Sequence, residues 1–172
     1  DQEIGDGDIV AEKGWTLEAI HTPGHTSNHL CLALQEENVM FSGDHVMGWS
    51  TSVISPPDGN MGDYLASLKK LTTREEVRYW PTHGPAIETP RPFVHAFINH
   101  REKRENQISE CLAAGRTNIT DIVKDLYAGV DSRLHRAAAR SVLAHLIHMV
   151  ESGRAKCDGL PHIDGIYHSL KS

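Results

Sequence analysis

The 172-residue sequence has few cysteines and no long apolar run, which argues against a disulfide-rich protein and against a membrane-spanning helix. It has three cysteines, Cys31, Cys111 and Cys157, which lie far apart and include no Cys-x-x-Cys pair. Reduced thiols are therefore expected rather than a disulfide framework. No apolar run is long enough to cross a bilayer as a helix. We expect a cytoplasmic protein with no membrane segment.

Basic residues are scarce in the first half of the chain. Residues 1–90 hold five Lys and Arg against fourteen Asp and Glu (5 − 14 = −9), whereas residues 91–172 hold twelve against nine (12 − 9 = +3). This asymmetry predicts two units with different surfaces. It argues against a nucleic-acid footprint on the first unit and favours an anionic partner for the second.

The first half reads as short strands separated by Gly, Asp and Pro, with one helix. The helix is predicted over Met61–Leu71, where apolar residues recur at three- and four-residue spacing. Such a mixture indicates an α/β layered fold. The predicted strands are Asp8–Val10, Thr16–Ile20, Leu30–Leu34, Val39–Ser42 and Val77–Trp80.

A proline-rich segment, Pro85–Pro92, is the best candidate for a domain boundary, and it predicts one domain over residues 1–90 and another over 91–172. The second part is helical and closes with a hairpin in Ala155–Ser172. Three helices followed by a hairpin is the outline of an α+β winged helix-turn-helix domain. The predicted helices are Phe93–Ala114, Ile119–Ala128 and Ser132–Ser152.

Three short motifs place His or Asp beside Gly, each after a predicted strand. They are His21-Thr22-Pro23-Gly24-His25-Thr26, Ser42-Gly43-Asp44-His45 and Pro81-Thr82-His83-Gly84-Pro85. A zinc site needs imidazole nitrogens and carboxylate oxygens that converge from separate chain segments. His25, Asp44 and His83 meet that requirement, although Gly-His and Gly-Asp taken singly are ordinary turn sequences.

The three motifs, in this order, resemble the later metal-ligand motifs of the metallo-β-lactamase fold. The first ninety residues resemble the C-terminal half of that αββα sandwich, and the remainder resembles the winged helix of the lactamase-β-like-protein-2 branch. The resemblance implies a site for two zinc ions. In it His25 binds the first ion, His83 the second, and Asp44 bridges both as the catalytic carboxylate.

The family's earlier motif, His-x-His-x-Asp-His, is absent from the sequence, and the chain begins Asp1-Gln2 rather than with Met. We therefore expect the natural N-terminus to lie upstream and half of the metal ligands to be missing. An incomplete sheet would also leave an apolar face, which predicts self-association.

Other polar residues near the motifs are predicted to support the site or line its pocket: Thr22, Thr26, His45 and Thr82. Loop polarity explains the threonines equally well. His145 and His148 have the spacing of a metal pair, but no Cys or acidic residue is placed to complete a site. His95, like the other histidines of the predicted helices, is expected to have no metal role.

Arg133, Arg136 and Arg140 share one face of the third predicted helix, where they could contact nucleic acid or a partner, or simply be solvated. The opposite stripe, from Leu134 to Val150, is predicted to be core or a surface for a partner.

Two functions follow from the sequence. The first is a fragment of a zinc-dependent hydrolase that cuts an ester, thioester, lactone or phosphodiester bond, with a small acyl compound or RNA as substrate. This fragment is expected to be inactive alone. The alternative is a non-catalytic module that binds nucleic acid or dimerises through its winged helix.

Overall fold

A computed structural model describes residues 3–170 and divides them into two compact units. The first unit contains the residues up to Val53 together with Asp58–Asn99. The second contains Ile54–Pro57 and the residues from His100 onward.

A five-stranded sheet forms the first unit, in the order β1-β2-β3-β4-β5. Strands β1 to β4 pair antiparallel, whereas β5 is parallel to β4. All five predicted strands are present, and their ends differ from the prediction by a few residues at most. They are β1 (Ile9–Glu12), β2 (Trp15–His21), β3 (Leu30–Leu34), β4 (Val39–Gly43) and β5 (Arg78–Pro81).

The helix α1 (Met61–Thr72) connects β4 to β5, as a parallel pair requires. Its first turn is capped by the Asn60 side chain, which accepts a hydrogen bond from the backbone N–H of Asp63 at 3.0 Å. The predicted apolar stripe is buried, with Tyr64 and Leu68 fully inside.

The two faces of the sheet differ in burial. Side chains that pair directly across strands share a face. One cross-strand row, Ala33, Met40 and Tyr79, is buried, whereas the row on the other face ends in the exposed residues Phe41 and Trp80. The sheet therefore has one covered and one partly open apolar face.

The second unit contains helices followed by a two-stranded hairpin. It consists of most of α2 (Pro90–Ala113), then α3 (Ile119–Leu126), a 3-10 turn (Ser132–Leu134), α4 (His135–Glu151), β6 (Ala155–Cys157) and β7 (Tyr167–Ser169). Its core joins all three helices to the hairpin, with Ile108, Ile122, Val142 and Tyr167 fully buried.

Two details of these helices differ from the prediction. Helix α2 begins at Pro90, three residues before the predicted start at Phe93, and the division between the units falls inside that helix. Proline is tolerated in the first turn, where the missing N–H would have no helical partner. The third predicted helix starts as a 3-10 turn, and Leu134 in that turn is 56% exposed, so of the two roles predicted for its stripe it does not have that of a core residue.

Within residues 3–170, no helix combines the length and the apolar character needed to cross a membrane.

Candidate metal centre

The three predicted ligands lie at one edge of the sheet. Strands β2 and β4 both run antiparallel to β3, and β5 runs parallel to β4, so β2, β4 and β5 point the same way. His25 follows β2, Asp44 follows β4 directly, and His83 follows β5. The carboxyl ends of these strands therefore bring three residues together that are far apart in the sequence.

Asp44 lies between the two imidazoles. Its Oδ2 is 3.7 Å from Nε2 of His25, and its Oδ1 is 3.6 Å from Nε2 of His83. Both distances are too long for hydrogen bonds. Oδ1 is buried and has no hydrogen-bond partner among the described residues. Burying a carboxylate oxygen costs free energy unless it accepts a hydrogen bond or binds a cation.

A backbone carbonyl fixes the ring of His25. Its Nδ1 lies 2.6 Å from the carbonyl oxygen of Val53. Because a carbonyl can only accept, Nδ1 donates its N–H, and in the neutral tautomer with this bond Nε2 is the nitrogen that can bind a metal on the side of Asp44. This is the arrangement found for histidine ligands of metals, whose other nitrogen donates to a neighbouring acceptor. Sequence reasoning did not identify Val53, because nothing in the sequence indicates the role of a carbonyl.

The loop of His83 is held against the segment after Asp44. The backbone N–H of Gly48 donates to the carbonyl of His83 at 2.8 Å. A Cβ on Gly48 would lie 2.2 Å from the carbonyl oxygen of Pro85, so no larger residue fits there without movement. Beside this contact, the Trp49 ring stacks on the His83 ring with 6.1 Å between centroids and 2° between planes.

Trp49 is 70% exposed, which is unusual for so large an apolar side chain. An exposed aromatic ring against a candidate ligand offers a flat apolar wall beside the site. Sequence reasoning missed this residue, although a tryptophan in the Gly48-Trp49-Ser50 loop was a signal that could have been used.

The remaining predicted site residues are placed differently. His45 is fully buried between the rings of His29 and Tyr64, so it does not line an open pocket. Burial, with smaller contributions from His29 and His25, lowers the pKa of His45 to about 3, so the ring is neutral at pH 7. Thr22 is also buried, and its hydroxyl bonds to Nδ1 of His29 at 2.9 Å.

Thr26 and Thr82 contribute backbone bonds to the loops. The carbonyl of Thr26 accepts from the N–H of Gly24 at 3.1 Å, and the N–H of Thr82 donates to the carbonyl of Gly43 at 3.2 Å. Thr82 is exposed and Thr26 half-buried.

His25, Asp44 and His83 fit a metal site only in part. Among residues 3–170, no three His, Cys, Asp or Glu side chains surround a common point that could hold an ion. Instead each Asp44 oxygen faces a different imidazole, which suits a carboxylate shared between two positions. Four-coordinate zinc needs more ligands at each position than these residues supply.

In the second unit, the three predicted arginines differ in their partners. Arg133 lies in the 3-10 turn and pairs with Asp131 at 2.6 Å, whereas Arg136 and Arg140 lie on α4. Arg140 donates to the hydroxyl of Ser55 at 3.0 Å. The three residues therefore do not form one uniform basic face.

The histidine pair of α4 does have an acidic partner. Oε1 of Glu105, on α2, lies 3.4 Å from Nδ1 of His145 and 2.8 Å from Nδ1 of His148. Arg154 binds the other oxygen at 2.6 Å. Burial opposes ionisation of Glu105, but these three hydrogen bonds together hold its pKa well below the usual range. Glu105 lies about 40 residues before the two histidines, so their spacing on the helix gave no indication of this contact.

Comparison with known proteins identifies the family of each part of the chain. The Metallo-beta-lactamase superfamily profile matches residues 1–83, and the Beta-lactamase associated winged helix domain profile matches residues 119–160. These matches confirm the mixed α/β fold and the C-terminal winged helix.

Two curated relatives and one solved structure are similar to the chain. The Beta-lactamase-like protein 2 homolog of Caenorhabditis elegans is 37% identical over 87% of the chain and 50% of its own length. An atrochrysone carboxyl ACP thioesterase of Pseudocercospora fijiensis is 33% identical over 73% of the chain and 38% of its own length. The chain thus spans about half the length of the first relative and a smaller share of the second.

The solved structure is a metallo-beta-lactamase family protein from Thermus thermophilus. It matches 96% of the chain and 53% of its own chain, with a TM-score of 0.79 and 23% identity. At that identity the likeness shows the fold alone.

Proposed function

Because this chain belongs to the metallo-beta-lactamase superfamily and carries its associated winged helix domain, we propose that it holds part of the active site of a zinc-dependent hydrolase. One observation carries the proposal. The Asp44 carboxylate has a different imidazole Nε2 facing each of its oxygens, and one of those oxygens is buried without a hydrogen-bond partner among the described residues.

In this proposal, His25 and Asp44 hold one zinc ion, while His83 and Asp44 hold the other. Bound zinc supplies hydroxide at neutral pH and polarises the bond to be cut. The chain's own contribution is to orient the ligands. The carbonyl of Val53 orients the His25 ring so that Nε2 points at Asp44, and the Gly48 bond holds the His83 loop in place.

Turnover requires more ligands than the described residues provide. Three side chains cannot enclose two ions, so we propose that the chain alone has no appreciable hydrolase activity. The complete site would need further His and Asp side chains of the kind that the family's earlier motif supplies.

The substrate that we propose is an acyl ester or thioester. A relative that is 33% identical is named as a thioesterase, which supports this class over a phosphodiester. The exposed Trp49 ring beside His83 offers an apolar wall against which an acyl group can pack.

Zinc binding by the purified chain tests the proposal. In calorimetric titrations with zinc, Asp44→Asn is expected to weaken binding at least tenfold, because Asn removes the charge that faces both imidazoles. His25→Gln and His83→Gln are each expected to weaken it as well. Elemental analysis after dialysis against trace zinc gives the number of ions per chain.

The matched control is His95→Gln. His95 is an exposed histidine of the same unit with no place in the site, so this variant should bind zinc like the original chain. Equal affinity in Asp44→Asn and the original chain would overturn the proposed ligand set. Two tightly held ions per chain would overturn the view that the site is incomplete.

A further inference from the structure

A groove in the second unit combines two arginines with apolar side chains and contains no residue of the candidate metal site. Its volume is about 200 Å³. Helix α4 forms one wall, and the loop between β6 and β7 and the segment Ile54–Pro57 contribute the rest. The lining residues are Pro56, Arg136, Ala139, Arg140, Leu143 and Ile163.

The charge of this groove is uncompensated. Arg136 and Arg140 lie one turn apart on α4, and no carboxylate within residues 3–170 pairs with either guanidinium. Three other arginines of the unit do have such partners: Arg116 pairs with Asp125, Arg133 with Asp131, and Arg154 with Glu105. Although Arg140 donates to the Ser55 hydroxyl, the charges of the two groove arginines are not balanced by a carboxylate and can attract an external anion.

The rest of the lining is apolar. Ala139 and Leu143 are also one turn apart and continue the same stripe of α4, while Ile163 faces them from the hairpin loop. Ile163 is 40% exposed and Leu143 is half-buried, so the apolar surface remains accessible. A ligand for this groove should carry a compact anion at one end and a short hydrocarbon segment at the other.

We propose that this groove binds a small soluble phosphate monoester with a short apolar tail. Two guanidinium groups one turn apart can share the oxygens of a phosphate dianion through charge-assisted hydrogen bonds. The tail would cover Ala139, Leu143 and Ile163. This inference goes beyond the proposed hydrolase function and uses none of its residues.

Nucleic acid fits the same surface less well. Proteins that bind nucleic acid commonly neutralise several phosphates along an extended track. Here Arg133, the third arginine of the predicted face, is paired with Asp131. Only Arg136 and Arg140 line the groove as charged residues, and the other lining residues are apolar. A small amphipathic anion therefore matches both the charge and the volume.

Titration with hexyl phosphate, followed by calorimetry on the full chain, tests the proposal. Hexyl phosphate is expected to bind at least tenfold more tightly than inorganic phosphate or hexanol. Shortening the tail to butyl is expected to weaken binding by about fourfold for each methylene that leaves the groove. Arg136→Gln and Arg140→Gln are each expected to weaken it about tenfold.

Two variants serve as controls. Arg133→Gln removes a neighbouring exposed arginine that does not line the groove, so it should leave binding unchanged. Asp44→Asn should also leave it unchanged while weakening zinc binding at least tenfold, so that failure of this proposal and failure of the hydrolase proposal are distinguishable.

Three results would overturn the proposal. The first is the absence of hexyl phosphate binding, or affinity that does not depend on tail length. The second is binding of a single-stranded RNA oligonucleotide that Arg133→Gln weakens as much as Arg136→Gln does, which would indicate a nucleic-acid surface. The third is binding only to vesicles containing phosphatidic acid, which would indicate a membrane headgroup instead of a soluble ligand.

Discussion

At the scale of single residues, the geometry around Asp44 depends on atoms that are not metal ligands. The carbonyl of Val53 sets the tautomer of His25. Gly24, the residue before His25, has a φ of +132°, and a Cβ there would lie 2.3 Å from the Cα of Tyr64. Only glycine lets the His25 loop pass this close to helix α1.

Replacing Gly24 with Ala should therefore destabilise the first unit and displace His25. Strained backbone at positive φ costs about 1–3 kcal/mol, and forced contact in a packed region adds a cost of similar size. We expect the free energy of unfolding to fall by about 2–6 kcal/mol, with reduced zinc affinity. Urea denaturation and zinc titration measure the two effects.

Gly14→Ala is the matched control. Gly14 has a φ of +96°, but nothing lies within 4 Å of an added Cβ. This variant should show the backbone strain without the contact with Tyr64, and it should leave zinc binding unaffected. An equal loss of stability in both variants would contradict the role of the close approach.

At the scale of elements, α2 and α4 are joined by a buried polar network. Glu105 of α2 is 4% exposed and His145 of α4 is fully buried. Burial is the main cause that lowers the pKa of His145. Arg101 and Arg104 lower it further, while its bond to Glu105 acts in the opposite direction. The folded protein therefore holds His145 neutral, with Nδ1–H donated to Glu105.

This network predicts a pH dependence of stability. A histidine whose pKa is lowered by folding binds its proton more readily in the unfolded chain, so its contribution to stability is lost as pH falls below the unfolded value of about 6.5. The free energy of unfolding should decrease as pH falls, and His145→Gln is expected to remove up to about 1.4 kcal/mol per pH unit of that decrease. Chemical denaturation at pH 8, 6.5 and 5 measures it.

His162→Gln, at an exposed position in the same unit, should leave the slope unchanged. Below about pH 4.3, the low pKa of Glu105 adds a second loss of stability, because its carboxylate must be protonated there. Identical pH profiles for His145→Gln and the original chain would refute the role assigned to His145.

At the scale of the whole molecule, the partly open face of the sheet leaves large apolar side chains of the first unit exposed to solvent. Two cross-strand rows of side chains form this face. The row from Val10 runs through Leu17 and Leu34, and the row from Leu32 runs through Phe41 to Trp80. Val10, Phe41 and Trp80 are 39%, 43% and 44% exposed. Such a contiguous apolar surface is typical of an interface.

We propose that the chain self-associates through this face. Phe41→Lys combined with Trp80→Lys places charges at its centre and edge, and should convert a dimer or larger species to a monomer. Leu160→Lys is the control, since Leu160 is 87% exposed but belongs to the second unit. Light scattering after size-exclusion chromatography measures the mass; a monomeric original chain would contradict the proposal.

Much of this fold could be predicted from short-range patterns. Alternating and continuous apolar runs gave all five strands and α1, because burial is periodic in both kinds of element. The predictions were less accurate where context decides the outcome. Pro90 and Pro92 lie in the first turn of α2 instead of before it, and Leu134 lies in a turn that exposes it.

By itself, the sequence determined the residue types and the order of His25, Asp44 and His83, since ligand chemistry depends on the side chains alone. Only the tertiary structure decided that their three strands point the same way, that Val53 orients His25, and that Glu105 meets His145 and His148. These contacts join residues that are distant along the chain. Their geometry depends on strand direction, helix packing and backbone position, which no local pattern in the sequence records.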